Sequence, residues 1–221
     1  GRKAELGRLL ERGAAQTSLG KPTAFFVEGE YGIGKSSLAD ACALAAERRF
    51  NLLRVRTSLA GVKDVAGVAE TVLKSVILSA ASSKSRWDRV KDAFGKIVKG
   101  VNLFGVVELD VDAVKRDATT YASVDGFVAF LRGLADRLAS AKEDPTCGFC
   151  IVLDEINGIA AEPMFAHFLK GVVDANALSS RPVALMLVLC GTPDRRRQLI
   201  ASHEPVGRIF EVIEVLPLSA E

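Results

Sequence analysis

The residues Gly29-Glu30-Tyr31-Gly32-Ile33-Gly34-Lys35-Ser36 fit the pattern G-x-x-x-x-G-K-[ST]. In that pattern glycines let backbone N–H groups curl around phosphates, the lysine reaches the β- and γ-phosphates, and the hydroxyl ligates Mg²⁺. The expected chemistry is nucleoside triphosphate binding. Lys35 would sit on the phosphates and Ser36 on Mg²⁺, with the stretch from Gly29 through Ser37 forming the cradle. A second set of residues follows an apolar run, Phe149-Cys150-Ile151-Val152-Leu153, which ends in Asp154-Glu155. Asp154 would hold Mg²⁺, usually through water, and Glu155 would polarise the water that attacks the γ-phosphate. An acid pair after an apolar strand also reads as a solvated strand end; its company with the P-loop favours the chemical reading.

These groups need a strand, a glycine loop and a helix in succession. Thr23 to Glu28 is a short apolar segment that reads as a buried strand, and Ser37 to Arg48 is rich in helix formers. The helix N-terminus would add partial positive charge at the phosphates. Upstream, Leu6, Leu9, Leu10 and Ala14 fall at helical spacing within Gly1 to Leu19. Asn51 to Arg56 reads as a second strand. Gly61 to Ser79 and Ser123 to Lys142 read as helices, with Glu162 to Ala177 a third. Val183 to Cys190 reads as a buried strand, Asp194 to Ala201 as a short helix, and Ile209 to Val215 as a last strand. The alternation predicts an α/β fold with three layers and a mainly parallel sheet. The strand ending in Asp154-Glu155 is expected beside the P-loop, since ligands gather at the C-terminal strand ends. Residues 61–122 read as a helical insertion within one domain spanning 1–221.

Inside that insertion, Lys84 to Lys99 reads as a basic amphipathic helix. Trp87, Val90, Phe94, Ile97 and Val98 form its apolar stripe, and Lys84, Arg86, Arg89, Lys91, Lys96 and Lys99 its polar side. The commoner meaning is a solvated face over a packed stripe; a nucleic-acid or membrane-surface helix is the alternative. Val101 to Val111 reads as a small hairpin or an irregular extended insert.

A hydrophobic content of 49% with 25% charged residues describes a globular protein, and a formal charge of +2 makes no global case for nucleic acid or membrane surfaces. The longest apolar run, Val183 to Cys190, falls far short of the roughly 20 residues a bilayer span requires. The four cysteines, Cys42, Cys147, Cys150 and Cys190, read as reduced thiols in a cytoplasmic protein. Cys147 and Cys150 form a C-x-x-C, but a zinc site needs a second ligand pair, and His167 and His203 stand apart in the sequence. The chain starts at Gly1 rather than Met, which suggests a piece of a longer protein.

In this order the motifs resemble the AAA+ ATPases, and most of all their signal-transduction (STAND) and origin-recognition branches. Gly1-Arg2-Lys3-Ala4-Glu5-Leu6 resembles the opening G-R-x-x-E-L signature, which implies that Arg2 packs near the adenine. Phe149 to Glu155 resembles a Walker B strand. Val188-Leu189-Cys190-Gly191-Thr192 is similar to the sensor 1 strand, so Thr192 would orient the attacking water or contact the γ-phosphate. Gly207-Arg208-Ile209-Phe210 with Val215-Leu216-Pro217-Leu218-Ser219 resembles the segment that closes the core. There Arg208 would be an arginine finger toward a neighbour, or else a surface or salt-bridge arginine. The resemblance further implies a small C-terminal helical lid, and the chain stops where that lid would begin.

The sequence-level function is therefore an ATP-binding and hydrolysing core of a larger regulatory protein, a nucleotide-dependent switch using ATP/ADP and Mg²⁺. Flanking domains and a homo-oligomer through the nucleotide face are the expected partners. The alternative is a DNA-acting ATPase such as an initiator, loader or transposition helper, supported by the Lys84 to Lys99 face and by Arg195-Arg196-Arg197. A small-molecule kinase ranks last, because a kinase does not need Glu155 as a water-activating base. The lack of an N/T-K-x-D motif leans toward adenine over guanine.

Overall fold

The computed structural model describes residues 2–94, 98–101, 107–109, 119, 121–141 and 145–217. Its centre is a sheet of five parallel strands in the order β2-β5-β6-β1-β7. These strands are β1 (Thr23–Glu28), β2 (Leu52–Ser58), β5 (Gly148–Asp154), β6 (Ala184–Gly191) and β7 (Glu211–Glu214). Two shorter strands, β3 (Val98–Val101) and β4 (Val107–Leu109), pair antiparallel in a separate ribbon. That ribbon matches the expected hairpin, displaced toward the N-terminus, with part of the expected span outside the described residues.

Alternation along the strands builds two cores. Phe25 and Val27 of β1 face one side with Cys150 and Val152 of β5 and Met186, Val188 and Cys190 of β6. Ala24 and Phe26 face the other, with Phe149, Ile151, Leu153, Leu185, Leu187 and Leu189. Every residue of β5 and β6 is buried, as a parallel sheet covered on both faces demands. Each such aliphatic side chain contributes about 1.5–3 kcal/mol.

On the first face lie α3 (Lys35–Phe50) and an N-terminal helical run made of α1 (Lys3–Arg8), a π-helical stretch Leu9–Ala14, and α2 (Ala15–Ser18). Gly13 lets that run settle on the sheet, since a Cβ there would stand 2.5 Å from Met186 Cε and 2.8 Å from Phe25 Cε2. The opposite face is covered by α4 (Val65–Ala81), α6 (Val124–Leu138), α7 (Pro163–Ala177) and α8 (Pro193–Ser202). Asp64, Ser123, Glu162 and Thr192 accept backbone N–H groups at the N-termini of these four helices. Ser123 starts α6 where expected, but the helix ends at Leu138 rather than Lys142.

The basic helix expected from Lys84 to Lys99 does not form as one element. It stops at Val90 as α5 (Lys84–Val90), passes into a 3₁₀ turn, Lys91–Phe94, and the chain is extended again from Val98. Nor is its polar side wholly solvated. Arg86 is buried and its Nη1 donates to Glu47 Oε1 at 2.8 Å. A guanidinium taken from water needs such a partner, and Glu47 on α3 supplies it.

Candidate nucleotide site

The P-loop runs from β1 into α3. Gly32 (φ 73°) and Gly34 (φ 99°) occupy left-handed backbone that other residues rarely adopt. Gly29 is buried, and a Cβ on it would stand 2.6 Å from the Val215 carbonyl oxygen. The loop therefore needs its glycines for backbone shape at two positions and for a close approach at the third. α3 differs from α4, α6, α7 and α8 in having no side-chain cap, which leaves the N-terminal N–H groups around Lys35, Ser36 and Ser37 without a side-chain acceptor. That is the arrangement an anion requires. Lys35 Nζ donates to the Glu30 carbonyl at 2.7 Å and stands 5.7 Å from the centroid of the Tyr31 ring. Arg2 joins the loop from the N-terminal segment, its Nη2 donating to the Ile33 carbonyl at 3.1 Å and its Nη1 to Glu5 Oε1 at 3.3 Å.

Across the sheet end, β5 delivers Asp154 and Glu155. It is not next to β1, as expected from sequence; β6 lies between them. The acids therefore face the P-loop across the width of the strand that ends in Gly191-Thr192. Asp154 Oδ1 accepts the Glu155 N–H at 2.9 Å, and Glu155 takes a left-handed backbone (φ 55°). The turn this makes leaves the Glu155 side chain exposed, where Ser58 Oγ donates to its Oε2. Ser58 ends β2 directly opposite Asp154 in the parallel register. The strand expected over Asn51 to Arg56 extends to Ser58 in the structure.

Cys190 lies beneath the site. Burial pushes its thiol well above the ordinary range, the Asp154 carboxylate adds to the rise, and Lys35 opposes it.

Thr192 is nearly buried, and its Oγ1 accepts the Arg195 N–H at 3.4 Å as the cap of α8. Capping uses an acceptor lone pair, so the hydroxyl proton stays available to donate. Next to it, Asn157 Oδ1 accepts from Arg195 Nε at 3.2 Å and from Tyr31 OH at 3.4 Å, tying the P-loop to α8. Neither Asn157 nor Arg195 carries a sequence signal for that role. A polar cleft of about 470 Å³ opens between Glu30-Tyr31 and the first turns of α8.

The three consecutive arginines are each engaged within the chain. Arg195 reaches Asn157 and Gln198, Arg196 Nε meets Glu28 Oε2 at 2.6 Å, and Arg197 pairs with Asp194. Arg197 and Asp194 are both exposed, so that pair lies on the surface, while Arg195 and Arg196 are half-buried. Arg208 lies apart from the P-loop groups, in a 3₁₀ turn, Glu204–Arg208. It is exposed, with Glu204 Oε1 at 3.3 Å.

Among the described residues no group of three or more His, Cys, Asp or Glu side chains is placed to hold a metal ion, and no helix is long and apolar enough to cross a membrane. Cys147 and Cys150 form no centre: Cys147 is exposed at the strand entrance with its thiol on the Phe50 carbonyl, and Cys150 is buried. The donor set at the strand ends fits a magnesium nucleotide. Ser36 offers a hydroxyl in the first turn of α3, and Asp154 keeps one carboxylate oxygen clear of its backbone contact.

No protein-family model matches the chain, and no curated protein does. Solved structures do. The Aeropyrum pernix ORC1 protein in complex with DNA is 20% identical with a TM-score of 0.52, over 99% of this chain and 46% of that one. The ORC2 protein of the same organism matches in its ADP form at 13% identity and TM-score 0.52, over 96% of this chain and 45% of that one. In its ADPNP-ADP complexes it matches at 13% and 0.56, over 97% and 47%. This chain spans less than half the length of those proteins, and what it shares with them is the α/β fold with its parallel five-stranded sheet.

Proposed function

We propose that the chain is the ATP-binding and hydrolysing core of a DNA-acting, origin-recognition-like AAA+ ATPase. The observation that carries the reading is the uncapped N-terminus of α3 behind a glycine loop, set across β6 from Asp154 and Glu155. The backbone N–H groups from Gly32 to Ser37 and Lys35 bind the phosphates, and Lys35 exchanges the Glu30 carbonyl for a phosphate oxygen. Ser36 and Asp154 would hold Mg²⁺, which when bound would supply positive charge to the phosphates. Glu155 orients and deprotonates the attacking water, and Thr192 donates its hydroxyl toward the γ-phosphate. Arg2 braces the loop through Ile33 on the side assigned to the adenine.

Nucleotide binding is supported by the ADP and ADPNP carried by the ORC2 structures of this fold, and DNA by the ORC1 complex. Because Arg86 is taken inside by Glu47, DNA contacts would come from the remaining basic residues or from flanking domains of a longer protein. A regulatory switch, in the manner of the signal-transduction branch, is the second reading. It is favoured by the resting contact Lys35–Glu30, which nucleotide must rearrange. In either case Arg208 is available to reach the nucleotide of a second copy.

Calorimetry of ATP and ADP binding with and without Mg²⁺ tests the core claim. Wild-type protein should bind ATP more tightly with Mg²⁺, and Lys35→Ala should bind neither nucleotide. Unchanged affinity in that variant would remove the P-loop from the site. DNA affinity that falls with salt separates the DNA-acting reading from the switch.

A further inference from the structure

His167 and His203, remote in sequence, meet in space. Their ring centroids are 3.9 Å apart with planes inclined at 36°. His167 sits on the exposed side of α7, and His203 at the joint where α8 ends and the 3₁₀ turn bearing Arg208 begins. The joint is held firmly. His203 N donates to the Leu199 carbonyl at 3.2 Å, and Val206 N to the His203 carbonyl at 3.0 Å. Ser202 Oγ, one residue earlier, donates to the Ala161 carbonyl at 3.1 Å, fastening the end of α8 to the approach of α7. The backbone thus presents both imidazoles at fixed positions.

No described residue forms a hydrogen bond to either ring; His167 is exposed and His203 half-buried. Partial burial, the neighbouring His167 and the Lys170 ammonium lower the pKa of His203, which keeps it neutral at pH 7 and leaves a lone pair on one nitrogen. Lys170 lies one turn along α7, its ammonium held by Asp174. Glu204 follows His203 in the chain, exposed and bridged to Arg208. Two imidazoles in contact, neither hydrogen-bonded by a described residue, offer a pair of nitrogen ligands on one surface.

We propose that His167 and His203 form a two-imidazole site for a borderline divalent transition ion of the Zn²⁺, Ni²⁺ or Cu²⁺ class, with water completing the coordination. Imidazole is the protein ligand these ions favour over Mg²⁺ or Ca²⁺. Ring lone pairs lie in the ring plane, so both rings turn about their side-chain bonds to bring one nitrogen each to about 2.0–2.1 Å from the ion. His167 is exposed and His203 only half-buried, which leaves room for that turn. The bound ion would clamp α7 to the α8 joint and stiffen the turn that carries Arg208. The site is independent of the nucleotide reading.

The test is titration of the full chain with NiCl₂, and separately ZnCl₂, by calorimetry at pH 7.5 and pH 5.5, alongside the thermal midpoint. The Cys147→Ser background excludes the exposed thiol. One ion per chain should bind at pH 7.5 and raise the midpoint. His167→Ala and His203→Ala should each weaken binding about tenfold or more. At pH 5.5 protons compete for the imidazoles and binding should fall. Circular dichroism of each variant establishes that it has folded; His167→Gln and His203→Gln serve where alanine destabilises. Absent binding at pH 7.5, or binding that both substitutions leave intact, overturns the proposal.

Discussion

Ser58, the last residue of β2, donates its hydroxyl to Glu155 Oε2, and the two meet because β2 and β5 pair in parallel with Ser58 opposite Asp154. The contact holds the proposed base through its carboxylate while the left-handed backbone at Glu155 turns it away from the strand. Ser58→Ala should raise phosphate release several-fold without changing ATP affinity, because it frees the carboxylate and touches no phosphate ligand. Glu155→Gln should bind ATP normally and lose about 10²–10⁴ in hydrolysis rate. Unchanged turnover in Ser58→Ala would mean that the hydrogen bond does not restrain the base.

Gly29 links the P-loop to the sheet edge. Glu28 accepts the Val215 N–H at 2.8 Å, and a Cβ at position 29 would meet the Val215 carbonyl oxygen at 2.6 Å and Ile33 Cγ2 at 3.0 Å. Both neighbours are constrained, one as backbone and one as part of the loop. Gly29→Ala should cost about 1–3 kcal/mol in a denaturant titration. It should also weaken ATP binding, since relief requires the loop to shift.

Asn176 at the end of α7 is buried and makes a two-bond clamp on Val183, donating to its carbonyl at 2.9 Å and accepting its N–H at 2.8 Å. Those backbone groups precede β6 and have no ladder partner in the strand. Asn176→Leu should destabilise the fold by about 2–4 kcal/mol, because two buried polar groups lose their partners at once. A denaturation midpoint close to wild type would show that water replaces the clamp.

The thiols should separate by reactivity. Burial pushes Cys42 up to about 12 and raises Cys150 and Cys190 well above the ordinary thiol range, whereas Cys147 is exposed, though its own thiol is also raised by partial burial. Alkylation of the folded protein at pH 8 should label Cys147 first, with the other three reacting only on unfolding. Early labelling of Cys190 would reveal that the floor of the P-loop opens.

Local patterning carried much of this protein in one dimension. The glycine positions of the loop, the apolar runs of β1, β5 and β6, and the spacing of Phe127, Val128, Leu131 and Leu138 on α6 are local properties. They suffice for element type and for the α/β class. The failures are equally specific. Lys84 to Lys99 has a helical stripe, yet its α-helix ends at Val90, Val98–Val101 pairs with Val107–Leu109 as a strand, and the salt bridge to Glu47 takes Arg86 inside.

Strand order, and everything that follows from it, was decided only in three dimensions. Nothing local says that β6 separates β1 from β5, that Ser58 ends its strand against Glu155, or that Asn157 lies within reach of Tyr31 and Arg195. His167 and His203 are mute in sequence and adjacent in the fold. The physical reason is common to all of them. A motif of consecutive residues is shaped by the backbone it occupies, while a contact between separate elements depends on how the sheet pairs and which face each helix covers. That choice is made by the summed burial of the whole core rather than by the residues that meet.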